Sequence, residues 1–392
     1  MDTPTQGVEP IAGGDFQQAV GRIIATAVQR GASDLHIKAG DVFRARIHGA
    51  LVPLTKQRLS PEQTRAIALQ LIPRDRDRAQ IDELNDYDCS WGIPGVGRFR
   101  VNILRQRGSF MIVMRVIPFE IPTFEGLGLP PVLEKITSNE RGLVLVTGVT
   151  GSGKSSTQAA MIGHMNQHMR RHVVTLENPI EFLHRDLNCS ITQRDVGIDT
   201  DSFRVGLRAA LRQDPDVIQI GEMRDAETID IALKAAETGH LVISTVHTKD
   251  ATNTVARLIS AFPPEEQETV RYRIGDALHA VISQRLLPRK GVRGRALAAE
   301  IMLMTSTIRD CVIDPERTAE IRDHIAAGRD VYGMQSFDQH LADLVGAGLV
   351  EFGVARAAAT NPGDFELKAR LSETGGGAAS GTMEGLTTGA GY

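Results

Sequence analysis

Gly148-Val149-Thr150-Gly151-Ser152-Gly153-Lys154-Ser155 has the spacing of a phosphate-binding loop, two glycines bracketing four residues and followed by lysine and a hydroxyl. A loop of this kind turns consecutive backbone N–H groups inward, and a helix N-terminus behind it adds positive potential, so phosphates are held at low desolvation cost. Gly148, Thr150, Gly151, Ser152, Gly153, Lys154, Ser155 and Ser156 form the candidate nucleotide-binding set. Lys154 is placed to reach the β- and γ-phosphates, and the Ser155 hydroxyl to hold Mg²⁺. The flanks agree with the letters. Leu143–Thr147 is a continuous apolar, β-branched run, as a buried parallel strand requires, and Gln158–Met169 reads as a helix. The bland alternative is a chance glycine-rich turn, but eight positions and both flanks would then have to coincide.

Holding a triphosphate does not hydrolyse it; a water must be positioned and developing charge stabilised. Val217-Ile218-Gln219-Ile220-Gly221-Glu222 is an apolar strand ending in a carboxylate, and Glu222 can orient Mg²⁺ or polarise the attacking water. As a plain surface residue, Glu222 would merely favour the helix that follows. A second acidic stretch, Leu176-Glu177-Asn178-Pro179-Ile180-Glu181, also follows a strand, so its carboxylates can face the γ-phosphate; the bland alternative is that one of the two glutamates is only a solvated loop charge. His240 and His247 bracket the strand Leu241–Val246. Singly, each histidine is more often structural than a ligand; His247, at the carboxyl end where open α/β sheets bind ligands, is the stronger candidate. Arg98, Arg100, Arg105, Arg107 and Arg115 lie on adjacent strands of an earlier region. Most strand arginines are solvated, whereas one reaching a nucleotide stabilises transition-state charge.

The elements that must position these groups fall into two regions. Asp15 can cap a helix with Val20, Ile23, Ile24, Ala27 and Val28 on one face, and Ser60-Pro61-Glu62-Gln63 has capping-box spacing. Around them, alternating runs at Ser33–Lys38, Phe43–Ile47, Tyr87–Ile93, Arg98–Arg105 and Phe110–Val116 read as half-buried strands. This gives an α+β N-terminal domain over 15–118, after a loose arm at 1–14. Pro and Gly concentrate in 119–131, read as a linker. Over 132–371, buried-type strands at 143–147, 173–176, 217–220 and 241–245 alternate with helices, the pattern of a parallel sheet covered on both faces; from Pro264 onward the reading is mostly helical. Residues 372–392 are Gly/Ala/Ser/Thr-rich and read as a disordered tail.

The totals narrow the classes. A chain of 392 residues with 42% hydrophobic and 23% charged content buries a substantial core. A net charge of -4 gives no support for nucleic-acid binding, which also disfavours a helicase-like translocase. Three isolated cysteines, Cys89, Cys189 and Cys311, fit a reducing compartment. No secretory signal and no apolar run of membrane-spanning length is visible, so the expectation is a cytoplasmic protein that meets a membrane through a partner.

Taken together, the motifs resemble the type IV pilus retraction ATPases, the PilT/PilU family of the secretion-ATPase superfamily, from about Asp15 to Leu371. The stretches that carry this are Gly31-Ala32-Ser33-Asp34-Leu35-His36, Gly97-Arg98-Phe99-Arg100-Val101-Asn102, the phosphate loop, Asn178-Pro179-Ile180-Glu181, Ile220-Gly221-Glu222-Met223-Arg224-Asp225, and Ala236-Glu237-Thr238-Gly239-His240 with Ser244-Thr245-Val246-His247-Thr248. The resemblance implies an α/β protein with a PAS-like N-terminal domain, a RecA-like P-loop ATPase domain and C-terminal helices. It implies ATP and Mg²⁺, a homohexamer, an inner-membrane pilus platform protein as partner, a paralogous retraction ATPase as a further one, and work at the cytoplasmic face. Residue by residue, Glu181 becomes the catalytic base, Glu222 acts on Mg²⁺ and water, Arg100 and Arg115 match arginine fingers crossing to the adjacent subunit, and His240 and His247 match the His-box pair. Two departures stand out: Asn178 replaces the second acid of a Glu-Asp-Pro triplet, and Thr307-Ile308-Arg309-Asp310-Cys311-Val312-Ile313-Asp314 keeps only Ile308 and Arg309 of the family's C-terminal motif. Pilus-assembly and type II secretion ATPases share the core but carry a long N-terminal extension and paired CxxC motifs, neither of which this chain shows. An ATP-binding regulatory paralogue without useful turnover is the alternative that Asn178 keeps open.

Overall fold

A computed structural model describes residues 16–117 and 120–375. The expected arm at 1–14 lies outside these residues. The expected tail overlaps the helix Pro362–Gly375 in its first four residues and otherwise lies outside them.

The first sheet is antiparallel and six-stranded. Its strands are β1 (Ala32–Lys38), β2 (Arg44–Ile47), β3 (Ala50–Pro53), β4 (Asp86–Ile93), β5 (Gly97–Gln106) and β6 (Ser109–Ile117), in spatial order β3-β2-β1-β6-β5-β4. Alternation along β5 and β6 turns Phe99, Val101, Ile103, Phe110, Ile112 and Met114 to one face. Helices Phe16–Gln29 and Pro61–Leu71 cover that face with Val20, Ile23, Ile24, Ile67 and Leu71, and each fully buried side chain of this size contributes roughly 1.5–3 kcal/mol. The second helix starts at a capping box, where the Ser60 hydroxyl accepts from Gln63 N (3.2 Å) and the Gln63 side chain accepts from Ser60 N (2.9 Å). The opposite face is more polar and carries Arg98, Arg100 and Arg115.

The second sheet has seven strands: β7 (Gly142–Thr147), β8 (His172–Glu177), β9 (Ser190–Asp195), β10 (Val217–Ile220), β11 (Leu241–Val246), β12 (Leu278–Pro288) and β13 (Arg295–Leu303), in order β13-β12-β7-β11-β10-β8-β9. All pairs are parallel except β12 with β13. Every residue of β7, β10 and β11 is buried, because helices cover both faces.

Three features differ from the sequence expectation. The region after Pro264 is largely helical, as expected, but it also holds β12 and β13, the two longest strands of this sheet, which the sequence reading did not identify. Both are buried on two faces, so their polar and apolar residues show no period of two, and the run Ala298-Ala299-Glu300 has helical propensity that tertiary pairing overrides. Edge strand β9 was missed because its residues, Ser190-Ile191-Thr192-Gln193-Arg194-Asp195, are mostly polar. The segment read as a linker contains a short helix, Phe124–Leu127, and Ile121 packs so closely on the helix Lys154–His168 that a side chain at Gly163 would collide with it.

The two sheets meet at Asp195. Its carboxylate is 2% exposed and accepts from the Ser90 hydroxyl of β4 and from the Arg98 guanidinium of β5 (2.9 Å). Arg74 approaches Asp201 on the same side (3.9 Å). These bonds hold the polar face of the first sheet over the carboxyl ends of the parallel strands.

Candidate functional site

Strand β7 ends at Thr147, the loop 148–153 follows, and the helix Lys154–His168 starts directly from it. Gly148 has φ 142°, and a Cβ there would lie 2.5 Å from Ser152 Oγ and 2.6 Å from the Gln284 carbonyl of β12. Glycine at this position is therefore a steric requirement of the cradle, as the close approach of backbone to a ligand demands. Lys154 is buried and donates to the Gly148 and Val149 carbonyls (2.9 and 3.0 Å). Burial pulls its ammonium below the ordinary lysine range, and the charges of Glu181 and Glu222 push back against that. Both carboxylates thus lie within electrostatic reach of the phosphate-loop lysine.

The loop opens into a cavity of about 670 Å³ lined by Thr150, Gly151, Gly153, Lys154, Ser155 and Ser156, by Glu177, Asn178 and Glu181, by Glu222 and Arg224, and by His184, His247 and Arg115. Glu222 follows β10 and is fixed by its neighbours: Thr245 Oγ1 donates to the Gly221 carbonyl (2.7 Å), and Met223 N donates to the Thr245 carbonyl (3.1 Å). A Cβ on Gly221 would press on the Leu176 carbonyl (3.3 Å) and the Phe203 ring (3.4 Å), which accounts for glycine where other P-loop proteins carry a side chain. The Glu222 carboxylate pairs with Arg224 (2.6 Å) and lies 3.6 Å from His247 Nε2.

Glu177 and Glu181 separate clearly. Glu177 is buried and accepts from Thr175 Oγ1 (2.7 Å), Gln193 Nε2 (3.0 Å) and Glu181 N (3.3 Å). Burial pushes its carboxyl up, against those three hydrogen bonds. It braces the turn, which contains a cis Asn178–Pro179 bond, while Glu181 stands exposed at the cavity rim. Gln193 completes the brace by donating to the Phe182 carbonyl (2.9 Å) and accepting from His184 N (2.9 Å). His184 is pushed down to about 4 by burial and is neutral at physiological pH.

Arg115 reaches the cavity from β6. Its Nε donates to Asp34 Oδ1 (3.0 Å), so the aspartate of the Ser33-Asp34-Leu35-His36 stretch aims this arginine. Burial raises the Asp34 carboxyl, but the Ser33 hydroxyl and Arg115 outweigh it and hold it below the usual range. Arg115 lines the cavity of its own chain, and the Asp195 contacts hold the sheet that carries it against the second sheet. Arg100 sits directly opposite Arg115 in the ladder, is exposed, and does not line the cavity. His240 does not line the cavity either. It precedes β11 at the amino end, where its carbonyl accepts from Gly142 N, and Nδ1 lies 2.9 Å from the Ala235 carbonyl. A six-residue strand separates it from His247, roughly 20 Å away.

Four cavity groups escaped the sequence reading: Arg224, His184, Phe203 and the bracing role of Glu177 with Gln193. Arg224 was within reach of pattern reasoning, two residues after Glu222. Gln193 was not, since its strand was unrecognised.

This is a P-loop nucleotide site closed by an arginine from a second sheet, and the chain belongs to the Type II/IV secretion system protein family, whose profile matches residues 13–351. It is 42% identical to the type IV pilus retraction ATPase PilT of Pseudomonas aeruginosa over 343 residues, 88% of this chain and 98% of that relative. It is 38% identical to the type IV pilus ATPase PilU of the same organism over 369 residues, 93% and 95% of the two chains. The crystal structure of the retraction motor PilT with bound ADP superposes with a TM-score of 0.79, covering 88% of this chain and 98% of that one. The α/β architecture with an N-terminal sheet domain and an ATPase domain agrees with that family. No described helix is long and apolar enough to cross a membrane.

Proposed function

We propose that this protein is a Mg²⁺-dependent motor ATPase that withdraws subunits from type IV pili, working as a homohexamer against an inner-membrane platform protein at the cytoplasmic face. The observation that carries the proposal is a single cavity holding the phosphate loop, Glu181, Glu222, His247 and Arg115, in a chain similar to a retraction ATPase over 98% of that relative.

The loop N–H groups and Lys154 bind the phosphates, and the cradle that excludes a Cβ at Gly148 fits a close-packed anion. Ser155 and Glu222 line the same cavity and would hold Mg²⁺, which supplies charge neutralisation at the transferring phosphoryl group. Glu181 accepts the proton of the attacking water. His247, 3.6 Å from Glu222, reads the γ-phosphate position, and Arg115 stabilises charge that builds on the phosphoryl oxygens. Because Arg115 comes from the first sheet, nucleotide turnover changes how that sheet sits on the second, and that relative movement is the mechanical output.

A second reading, an accessory paralogue, is favoured by the 38% identity to PilU over 93% of this chain and by Asn178. Deletion of the gene followed by imaging of surface pili tests the proposal. Hyperpiliated, non-retracting cells support it, bald cells refute it in favour of an assembly motor, and normal retraction against low load supports the accessory reading.

A further inference from the structure

Thr147, Ser283 and Glu300 occupy one level across β7, β12 and β13, since Ser283 is opposite Thr147 in one ladder and opposite Glu300 in the other. They are 0%, 0% and 4% exposed, a buried polar row across three adjacent strands. Thr147, the last residue before the phosphate loop, donates to Ser283 Oγ (3.0 Å). Glu300 Oε1 accepts from Ala251 N (2.7 Å), the first residue of the helix Ala251–Ser260. Only four residues separate the end of β11 from that helix, and His247 is the first of them. Upstream, the segment is held by β11. Downstream, it is held by the helix N-terminus, through Asp250 accepting from Asn253 N (2.8 Å) and through Glu300.

We propose that Glu300 is a positioning residue for nucleotide turnover: its bond to Ala251 ties the His247–Asp250 segment to the strands that carry the phosphate loop. A carboxylate this deeply buried is costly and is retained here with one backbone N–H as its hydrogen-bond donor among the described contacts, at a helix N-terminus where negative charge is favoured. The groups facing it are Asp250 before the helix, Arg285 on β12 and Arg322 on the helix Ile321–Ala327. Arg285 stacks over Phe337 (3.8 Å) and donates to the Ala358 carbonyl, so the C-terminal helices adjoin the same row. Burial pushes the Glu300 carboxyl up to about 7, with Asp250 adding to this and Ala251 N–H, Arg285 and Arg322 opposing it. Ionised Glu300 grips Ala251 N–H more strongly than the neutral acid does. The grip tightens as pH rises through 7.

The inference rests on ATP turnover at the P-loop site. Two variants attack the same bond from opposite sides. Glu300→Gln keeps an acceptor but cannot ionise. Ala251→Pro removes the donor at the first helical position, where proline is tolerated, and Asp250 before it is already extended (φ -158°, ψ 172°). Steady-state ATPase assays between pH 6 and 8 should show kcat down about tenfold in each variant with KM for ATP within about twofold. They should also show loss, in Glu300→Gln, of a rising limb centred near pH 7. If either variant melts early, the other decides. Wild-type kcat and pH profile in both variants, or a rise in KM alone, overturns the assignment. A wild-type protein without turnover would instead remove the ATPase reading itself, and this inference with it.

Discussion

Alanine at Gly148 places a methyl group 2.5 Å from Ser152 Oγ and 2.6 Å from the Gln284 carbonyl, on a backbone with φ 142°. That φ alone costs about 1–3 kcal/mol for a residue with a Cβ. The Ser152 side chain can turn away, but the Gln284 carbonyl belongs to β12, a strand paired on both sides, and displacing it forfeits roughly another 1 kcal/mol of hydrogen bonding. A total of about 2–4 kcal/mol is small enough for the domain to survive by letting the loop move, so the loss appears in ligand affinity. At 1.4 kcal/mol per decade, ADP affinity should fall on the order of 10²-fold. Gly151→Ala is the internal control. Its φ is 77° and nothing lies within 4 Å of the added Cβ, so only about 1–2 kcal/mol is at stake and the fall should be near tenfold. Titration with a fluorescent ADP analogue, alongside thermal melts, reads both. Gly148→Ala binding within threefold of wild type, or Gly151→Ala binding worse than Gly148→Ala, would refute the steric account of the cradle.

Asp195→Asn should loosen the first sheet from the second. It leaves Arg98 without its buried counter-charge, a loss discounted to about 1–3 kcal/mol because Arg98 is 27% exposed, and hydrogen exchange should rise along β4 and β9 with no change in β11. Glu300→Gln should also alter stability against pH. The folded carboxyl sits at about 7 against an ordinary 4.5, so wild type loses stability as pH rises from 4.5 through 7, by at most about 3 kcal/mol, and melting curves should show a shallower decline in the variant. Arg115→Ala mixed with Glu222→Gln should regain no turnover if Arg115 serves its own chain's nucleotide. Recovery in preparations shown by light scattering to contain mixed oligomers would establish that Arg115 crosses to the adjacent subunit.

How far the sequence could be read depended on whether a signal was local. The phosphate loop, Glu222 and the capping box at Ser60 are short patterns with a steric or hydrogen-bonding reason at each position, and they lie where those patterns require. Strands β1, β5 and β6 were legible because one face is polar, whereas β12 and β13 were not, because burial on both faces erases the alternation. Side-chain partners across the chain were out of reach. Nothing near Arg115 in sequence says that Asp34, eighty-one positions away, aims it, or that Asp195 docks Arg98 and so brings β6 to its own chain's loop. His240 and His247 both flank a strand, but strand direction made His247 the stronger candidate from sequence, since only the carboxyl end of a parallel strand faces the ligand, and His247 is the one that lines the cavity.

The most direct test of the central claim, that one chain gathers the machinery of ATP hydrolysis in the cavity above the phosphate loop, is ATP turnover by Glu222→Gln with ADP binding measured on the same sample. The account predicts turnover down about 10²-fold or more with ADP affinity within a few-fold of wild type. Turnover at the wild-type rate with intact binding would contradict it.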